Sequence, residues 1–212
     1  MSTTRRAYRS PRREQDAATT RNDVLAAAAE LFAAKGYGRV TVADISQRAG
    51  VAQKTVYASA GSKADILNEL IAAAVADSGA EESLVEIRKT GDLAEAMRIL
   101  ARGTRLCNER HEAALEIMHA ALPVHDDAES LWRNATEFYR SVLGRIAEHL
   151  DACGVLAEPE RAADVLWFCF GLTSWRTLVR ECGWTWDDAE RWLAVHATAL
   201  LSRRPDNVGP LA

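Results

Sequence analysis

Residues 40–67 read VTVADISQRAGVAQKTVYASAGSKADIL, and the order of caps, apolar residues and glycines spells two short helices joined by a tight turn. Thr41 is placed to cap the first helix through its hydroxyl, and Asp44, three residues on, makes an acidic variant of the capping box. Val42, Ile45 and Ala49 then fall on one side of that helix as its buried stripe. Gly50 stands where the chain must pass through positive φ, a conformation that costs a residue without Cβ little, and Val51 can pack back on the preceding turn. The next helix is short and polar. Gln53, Lys54, Thr55 and Tyr57 face outward while Val56 faces inward, which puts donors suited to base edges and phosphates on the exposed side. Gly61 ends it, and Ser62 with Asp65 opens another helix. Two helices so joined make a helix-turn-helix, which fits a DNA major groove.

Working toward the N-terminus, Thr20 and Asp23 form a further capping box, and Val24, Leu25, Ala28, Leu31 and Phe32 trace one helical face before Gly36 stops it. Ahead of it, residues 1–19 carry Arg5, Arg6, Arg9, Arg12 and Arg13 and almost nothing apolar. They are expected to be a disordered basic arm, which could contact DNA or remain solvated. Charge is divided along the chain. Through Ile66 there are eleven Lys and Arg against six Asp and Glu, a net +5, whereas the remainder has fifteen against twenty-four, a net −9. The arrangement concentrates attraction for phosphate at one end and turns the other away from it.

AAAELFAAKGYGRVTVADISQRAGV, residues 27–51, with Phe32, the glycine-aromatic step Gly36-Tyr37, Thr41, and then Tyr57 and Lys63, closely resembles the DNA-binding domain of the TetR (tetracycline repressor-like) family of bacterial transcription regulators. The specific likeness covers about Thr20 to Leu70; beyond it the likeness is one of architecture. The resemblance implies that Thr41, Tyr57 and Lys63 hold DNA phosphates and that Gln53, Lys54 and Thr55 form the base-reading surface. Two positions depart from the family's pattern: Ala52 stands where the recognition helix is commonly capped by Ser or Thr, and Ala60 where a phenylalanine commonly closes the module. They leave open a second reading, a helical small-molecule-binding protein whose DNA reader has weakened or been lost.

Beyond Ile66 the chain reads as helices throughout. No stretch alternates apolar and polar residues for long, and prolines number only five. The expected fold class is therefore all-α: a helix-turn-helix domain over 20–66, a larger helical effector-binding and dimerisation domain over 67–202, and a flexible tail over 203–212. After the helix from Ser62 to about Asp77, with a loosening at Ser78, Gly79, Glu81 and Glu82, five more are expected: Asp92 to Asn108, His111 to Ala121, Asp127 to Cys153, Pro159 to Glu181 and Thr185 to Leu201. From Val165 to Val179 apolar residues go almost all the way round, so that helix must be covered on several sides.

The resemblance places a ligand pocket in this body and a four-helix dimer interface on its last two helices. All six tryptophans lie after Ser130. Met97, Met118, Trp132 and Phe138, with Tyr139, Trp167 and Phe170, are the candidate pocket residues, suited to a largely apolar or aromatic effector. Trp175, Val179 and Trp192, with Val195, His196 and Ala199, are the candidate dimer residues. A two-fold homodimer also serves DNA chemistry, because it sets two recognition helices about 34–36 Å apart on a palindromic operator.

Other chemistry lacks its signatures. Cys107, Cys153, Cys169 and Cys182 form no C-x-x-C pair. His111, His119 and His125 with Glu112 and Glu116 do not make an H-E-x-x-H, so no metal is assigned. There is no G-x-S-x-G, P-loop or G-x-G-x-x-G, hence no cofactor and no enzyme assignment. Without a signal-peptide core or an apolar run of the ~20 residues that span a bilayer, the expected location is the cytoplasm. The function these features imply is a ligand-responsive DNA-binding regulator, most simply a repressor released from its operator by a small-molecule effector.

Overall fold

A computed structural model of the protein describes residues 11–121 and 128–202. Eleven α-helices lie among them: α1 (Pro11–Lys35), α2 (Val42–Ala49), α3 (Gln53–Ala60), α4 (Lys63–Ala76), α5 (Ala80–Ile87), α6 (Leu93–Arg110), α7 (Glu112–Ala121), α8 (Ala128–Ala152), α9 (Pro159–Phe170), α10 (Leu172–Arg176) and α11 (Trp186–Leu201). No β-strand occurs among the described residues; Leu156 and Ser202 make one isolated bridge. The all-α expectation holds. The chain divides into two compact units, Met1–Ala73 with Glu116–Glu129, and Ala74–Leu115 with Ser130–Ala212, so the division falls within α4.

In the first unit α1, α2 and α3 pack on one another. Val24, Ala28 and Phe32 of α1, Ile45 of α2, Val56 of α3, and Ile66 and Leu67 of α4 are all buried. The Phe32 and Tyr37 rings lie 5.1 Å apart at 60°. Each such large apolar side chain withdrawn from water contributes about 1.5–3 kcal/mol, and that is what lets so small a unit hold its recognition helix.

One expectation about this unit fails. Composition predicts a disordered arm over 1–19 and a helix starting at Thr20, but α1 already runs from Pro11, and the Thr20 hydroxyl donates to the Asp16 carbonyl 2.9 Å away inside the helix. Proline preset for the first turn and the alanine-rich run behind it sustain the helix without an apolar face, since residues 15–19 are exposed. Met1 to Ser10 and the tail over 203–212 lie outside the described residues.

The second unit is built around α6, which packs against α5, α9, α10 and α11. Met97, Leu100, Leu143, Ile146, Leu166 and Phe170 are among its fully buried side chains. Two differences from the sequence reading matter. The segment read as a loosening after α4 holds a helix, α5, in which Gly79 (φ 67) turns the chain and Ala80, Leu84 and Ile87 are buried. Three small or aliphatic residues in eight give too short a stripe to be distinguished from a loop. The helix expected from Pro159 to Glu181 is interrupted: Gly171 is extended (φ −67, ψ 161), α10 follows, and Thr177–Glu181 makes a π turn. The interruption explains the all-round apolar pattern, because α9 and α10 bury different sides. Leu166, Phe170 and Trp175 are buried while Phe168 is 74 % exposed.

Candidate nucleic-acid interface

The helix-turn-helix is assembled from local hydrogen bonds. Thr41 caps α2: its hydroxyl accepts from the Asp44 N–H at 3.2 Å, while the Thr41 N–H donates to Asp44 Oδ2 at 2.8 Å and the hydroxyl donates to the same oxygen at 2.6 Å. These bonds from Thr41 hold the Asp44 carboxyl below its ordinary pKa. Gly50 adopts the left-handed conformation (φ 69, ψ 26), and the Val51 N–H reaches back to the Ser46 carbonyl at 3.0 Å. A second box opens α4, where Ser62 N–H and Oγ donate to Asp65 Oδ2 at 2.8 and 2.7 Å and Asp65 N–H returns to Ser62 Oγ at 3.2 Å. Gly61 between α3 and that box has φ 81, and a Cβ there would lie 2.6 Å from Asp65 Oδ2.

Between these capped neighbours, α3 has no side-chain cap: Ala52 sits in the extended conformation a cap requires (φ −73, ψ 148) but brings no acceptor. The first backbone N–H groups of α3 thus keep their outward positive end. Val56 and Ala60 are buried and fasten α3 to the core, so the small Ala60 takes part in the packing. Gln53 and Lys54 are exposed, Thr55 is half-buried, and Tyr57 is 55 % exposed. The structure brings these four together on one short helix. Thr41 and Lys63 are placed otherwise. The Thr41 hydroxyl is occupied in its cap, and the Lys63 ammonium donates to the carbonyls of Tyr37 (3.1 Å) and Val40 (3.0 Å), 4.2 Å from the centre of the Tyr37 ring. Arg21, not singled out in the sequence, bonds Glu69 at 2.9 and 2.7 Å and also the Ser59 carbonyl, tying α1 to the end of α3 and to α4. A lone exposed arginine on a helix gave no sequence signal for this.

In the second unit, the candidate pocket residues separate. Met97 and Phe170 are fully buried, and Tyr139 donates to the Phe170 carbonyl at 3.2 Å beside Trp167, ring centres 6.1 Å apart. Burial pushes the Tyr139 phenol well above its ordinary pKa and keeps it neutral. Phe138, by contrast, is 40 % exposed. Met118 belongs to the first unit and Met97 to the second, so they do not share one unit's core. The Trp132 side chain lies outside the described residues, as does His125.

The candidate dimer residues also divide. Trp192, Val195, His196 and Ala199 are exposed on α11, and Val179 is half-buried. Trp175 is 1 % exposed and cannot reach a partner; the bend at Gly171 turns it inward, against Trp186 at 5.8 Å. Its Nε1–H has no hydrogen-bond acceptor among the described residues. Phe168 of α9 and Leu200 of α11, not among the candidate dimer residues, are also exposed and apolar. Trp184, Asp188, Trp192, Val195 and His196 line an open groove of about 650 Å³ there. Among the described residues, no group of three or more His, Cys, Asp or Glu could hold a metal ion, and no helix is long and apolar enough to cross a membrane.

Residues 24–70 match the sequence model of the bacterial regulatory proteins of the tetR family. No curated protein matches the chain in sequence. Solved structures resemble it over most of its length. The fatty acid degradation regulator FadR from Bacillus halodurans superposes with a TM-score of 0.70 at 16 % identity, covering 93 % of this chain and 100 % of that one. The TetR-family regulator PfmR from Thermus thermophilus gives 0.63 at 21 %, covering 89 % and 98 %. A protein from Saccharomonospora viridis, assigned as a transcriptional regulator and solved with choline, gives 0.68 at 19 %, covering 88 % and 100 %. Residues 24–70 are a helix-turn-helix DNA-binding domain of the TetR family, carried on a chain with the fold of TetR-family transcriptional regulators.

Proposed function

We propose that the protein is a homodimeric, ligand-responsive transcriptional regulator that binds a palindromic operator and represses until an effector enters the second unit. The observation that carries the reading is α3, with Gln53, Lys54, Thr55 and Tyr57 on its open side and Val56 and Ala60 anchoring its back. Gln53 and Lys54 would read base edges and Tyr57 a phosphate. The exposed apolar side chains Phe168 on α9 and Trp192, Val195 and Leu200 on α11 support a second copy as partner, since exposed apolar surface of this kind marks interaction sites.

For the effector, the supporting group is Trp175, an indole N–H buried without an acceptor among the described residues, in the same core as the neutral phenol of Tyr139 and the apolar Met97. Such a donor in an apolar setting favours a largely apolar molecule bearing one acceptor oxygen. Effector and operator would be negatively coupled, each weakening the other's binding. The cytoplasm is where both ligands would be met.

Duplex binding measured across a salt series tests the reading: specific binding falls steeply with salt as counterions are released, and Gln53→Ala changes the preferred bases selected from a random duplex pool. Absence of any duplex binding by the dimer would favour the alternative of a helical small-molecule-binding protein whose reader has weakened, for which uncapped α3 is the motivating feature.

A further inference from the structure

The anchored side of α3 is marked by Val56 and Ala60, both buried and four residues apart, so that one lies above the other on the helix. Successive residues turn by about 100°, which puts Lys54 about 200° from Val56 and Ala58 about 200° from both anchors. These two, themselves four residues apart and both exposed, form the outermost line of the recognition helix. Thr55 and Tyr57 flank that line at about 100° on either side of Val56. Gln53 lies nearer the anchored side, exposed because it opens the helix.

The cations of the first unit differ in what they already hold. Arg21 pairs with Glu69, Arg48 pairs with Glu30, and the Lys63 ammonium donates to two carbonyls. Lys54 has no hydrogen bond or ion pair among the described residues, and α3 contains no carboxylate to neutralise it. All three of its N–H donors are therefore open to a ligand. It is also the second residue of α3, and the first residues of a recognition helix are those that meet base edges. Ala58 offers the opposite chemistry, a methyl group and nothing longer, so the backbone of α3 can come close to a surface along this line.

We propose that the line Lys54–Ala58 reads, in each half-site of the operator, a guanine and, within two base pairs of it, the methyl group of a thymine. Only guanine shows two adjacent acceptors, O6 and N7, in the major groove, and a donor-only ammonium matches them; thymine alone shows a methyl there, which Ala58 can meet. The spacing follows from the helix, since four residues rise about 6 Å while base pairs stack about 3.4 Å apart. The proposal rests on the DNA-binding reading and names the bases that reading leaves open.

Selection of bound duplexes from a random pool by the full-length dimer, followed by single-atom changes in the selected bases, tests it. The wild type should enrich the guanine and the thymine at that spacing. Replacing the guanine by 7-deazaguanine should weaken wild-type binding by about tenfold, and replacing the thymine by uracil, which lacks only the methyl, by about fourfold. Lys54→Met should be indifferent to the first exchange and Ala58→Gly to the second. Each comparison is made within one variant, so a general loss of fold or affinity cancels; if a variant binds no duplex, the two wild-type exchanges decide alone. A deazaguanine penalty that persists in Lys54→Met would overturn the proposal. So would a uniform loss on every duplex with a log–log salt slope smaller by about 0.9, the mark of a phosphate contact. A selected motif without this guanine overturns the proposal and leaves the DNA-binding reading standing, whereas a wild type that binds no duplex overturns both.

Discussion

Ala52 has the backbone of a cap without its oxygen, so Ala52→Ser adds an acceptor for the first turn of α3 at no conformational cost. It should stabilise the first unit by about 1 kcal/mol, read as a raised denaturant midpoint with an unchanged slope. Thr41 acts in the other direction. Its bonds hold the Asp44 carboxyl below its unfolded value of about 4, so the folded state binds fewer protons and the contribution is present above that pH. The stability gap between wild type and Thr41→Ala should be full above pH of about 4 and close as pH falls through the lowered pKa; a gap constant with pH would refute the assignment. At this scale the sequence announced Thr41, Asp44, Gly50, Ser62 and Asp65, because caps act over three or four residues. It gave no sign that the Lys63 ammonium reaches the Tyr37 and Val40 carbonyls, which lie 26 and 23 positions away.

The helices show the same division between local and distant causes. α2 and α3 were readable since Thr41 and Gly50 bound the first and Gly50 and Gly61 bracket the second, whereas α5 has only Ala80, Leu84 and Ile87 to mark a face. The bend after α9 was hidden because Gly171 uses an extended conformation any residue can adopt; what demands glycine there is space, for a Cβ would lie 2.5 Å from the Trp167 carbonyl. Gly61 combines both demands, positive φ and a Cβ contact with Asp65. Gly61→Ala should cost about 1–3 kcal/mol and speed amide exchange at the start of α4, more than Gly50→Asn, whose left-handed site tolerates asparagine. Between α6 and α11, the Arg105 guanidinium bonds Glu190 at 2.9 Å and also Asp187. With that side chain 24 % exposed, Arg105→Ala should destabilise the second unit by about 1 kcal/mol at low salt and by less at high salt.

For the whole molecule, the sequence revealed the all-α class and the uneven charge, but which apolar residues face outward had to wait for the bend at Gly171. Phe168 is the clearest case: within an unbroken helix it belongs to a uniformly apolar barrel, and in the structure it stands 74 % exposed with Trp192, Val195 and Leu200 on α11 also uncovered. Phe168→Asp should shift sedimentation of the protein from dimer to monomer while leaving its thermal unfolding at high dilution unchanged, and should weaken operator binding in proportion to the lost dimer. Retention of the dimer would move the interface elsewhere. That uncovered face carries a consequence for the cell that makes the protein. If two copies must meet across it before a palindrome can be filled, then at scarce supply operator occupancy rises with the square of the number of chains. Gene dosage and dilution at cell division would thus set the regulator's output as firmly as any small molecule does.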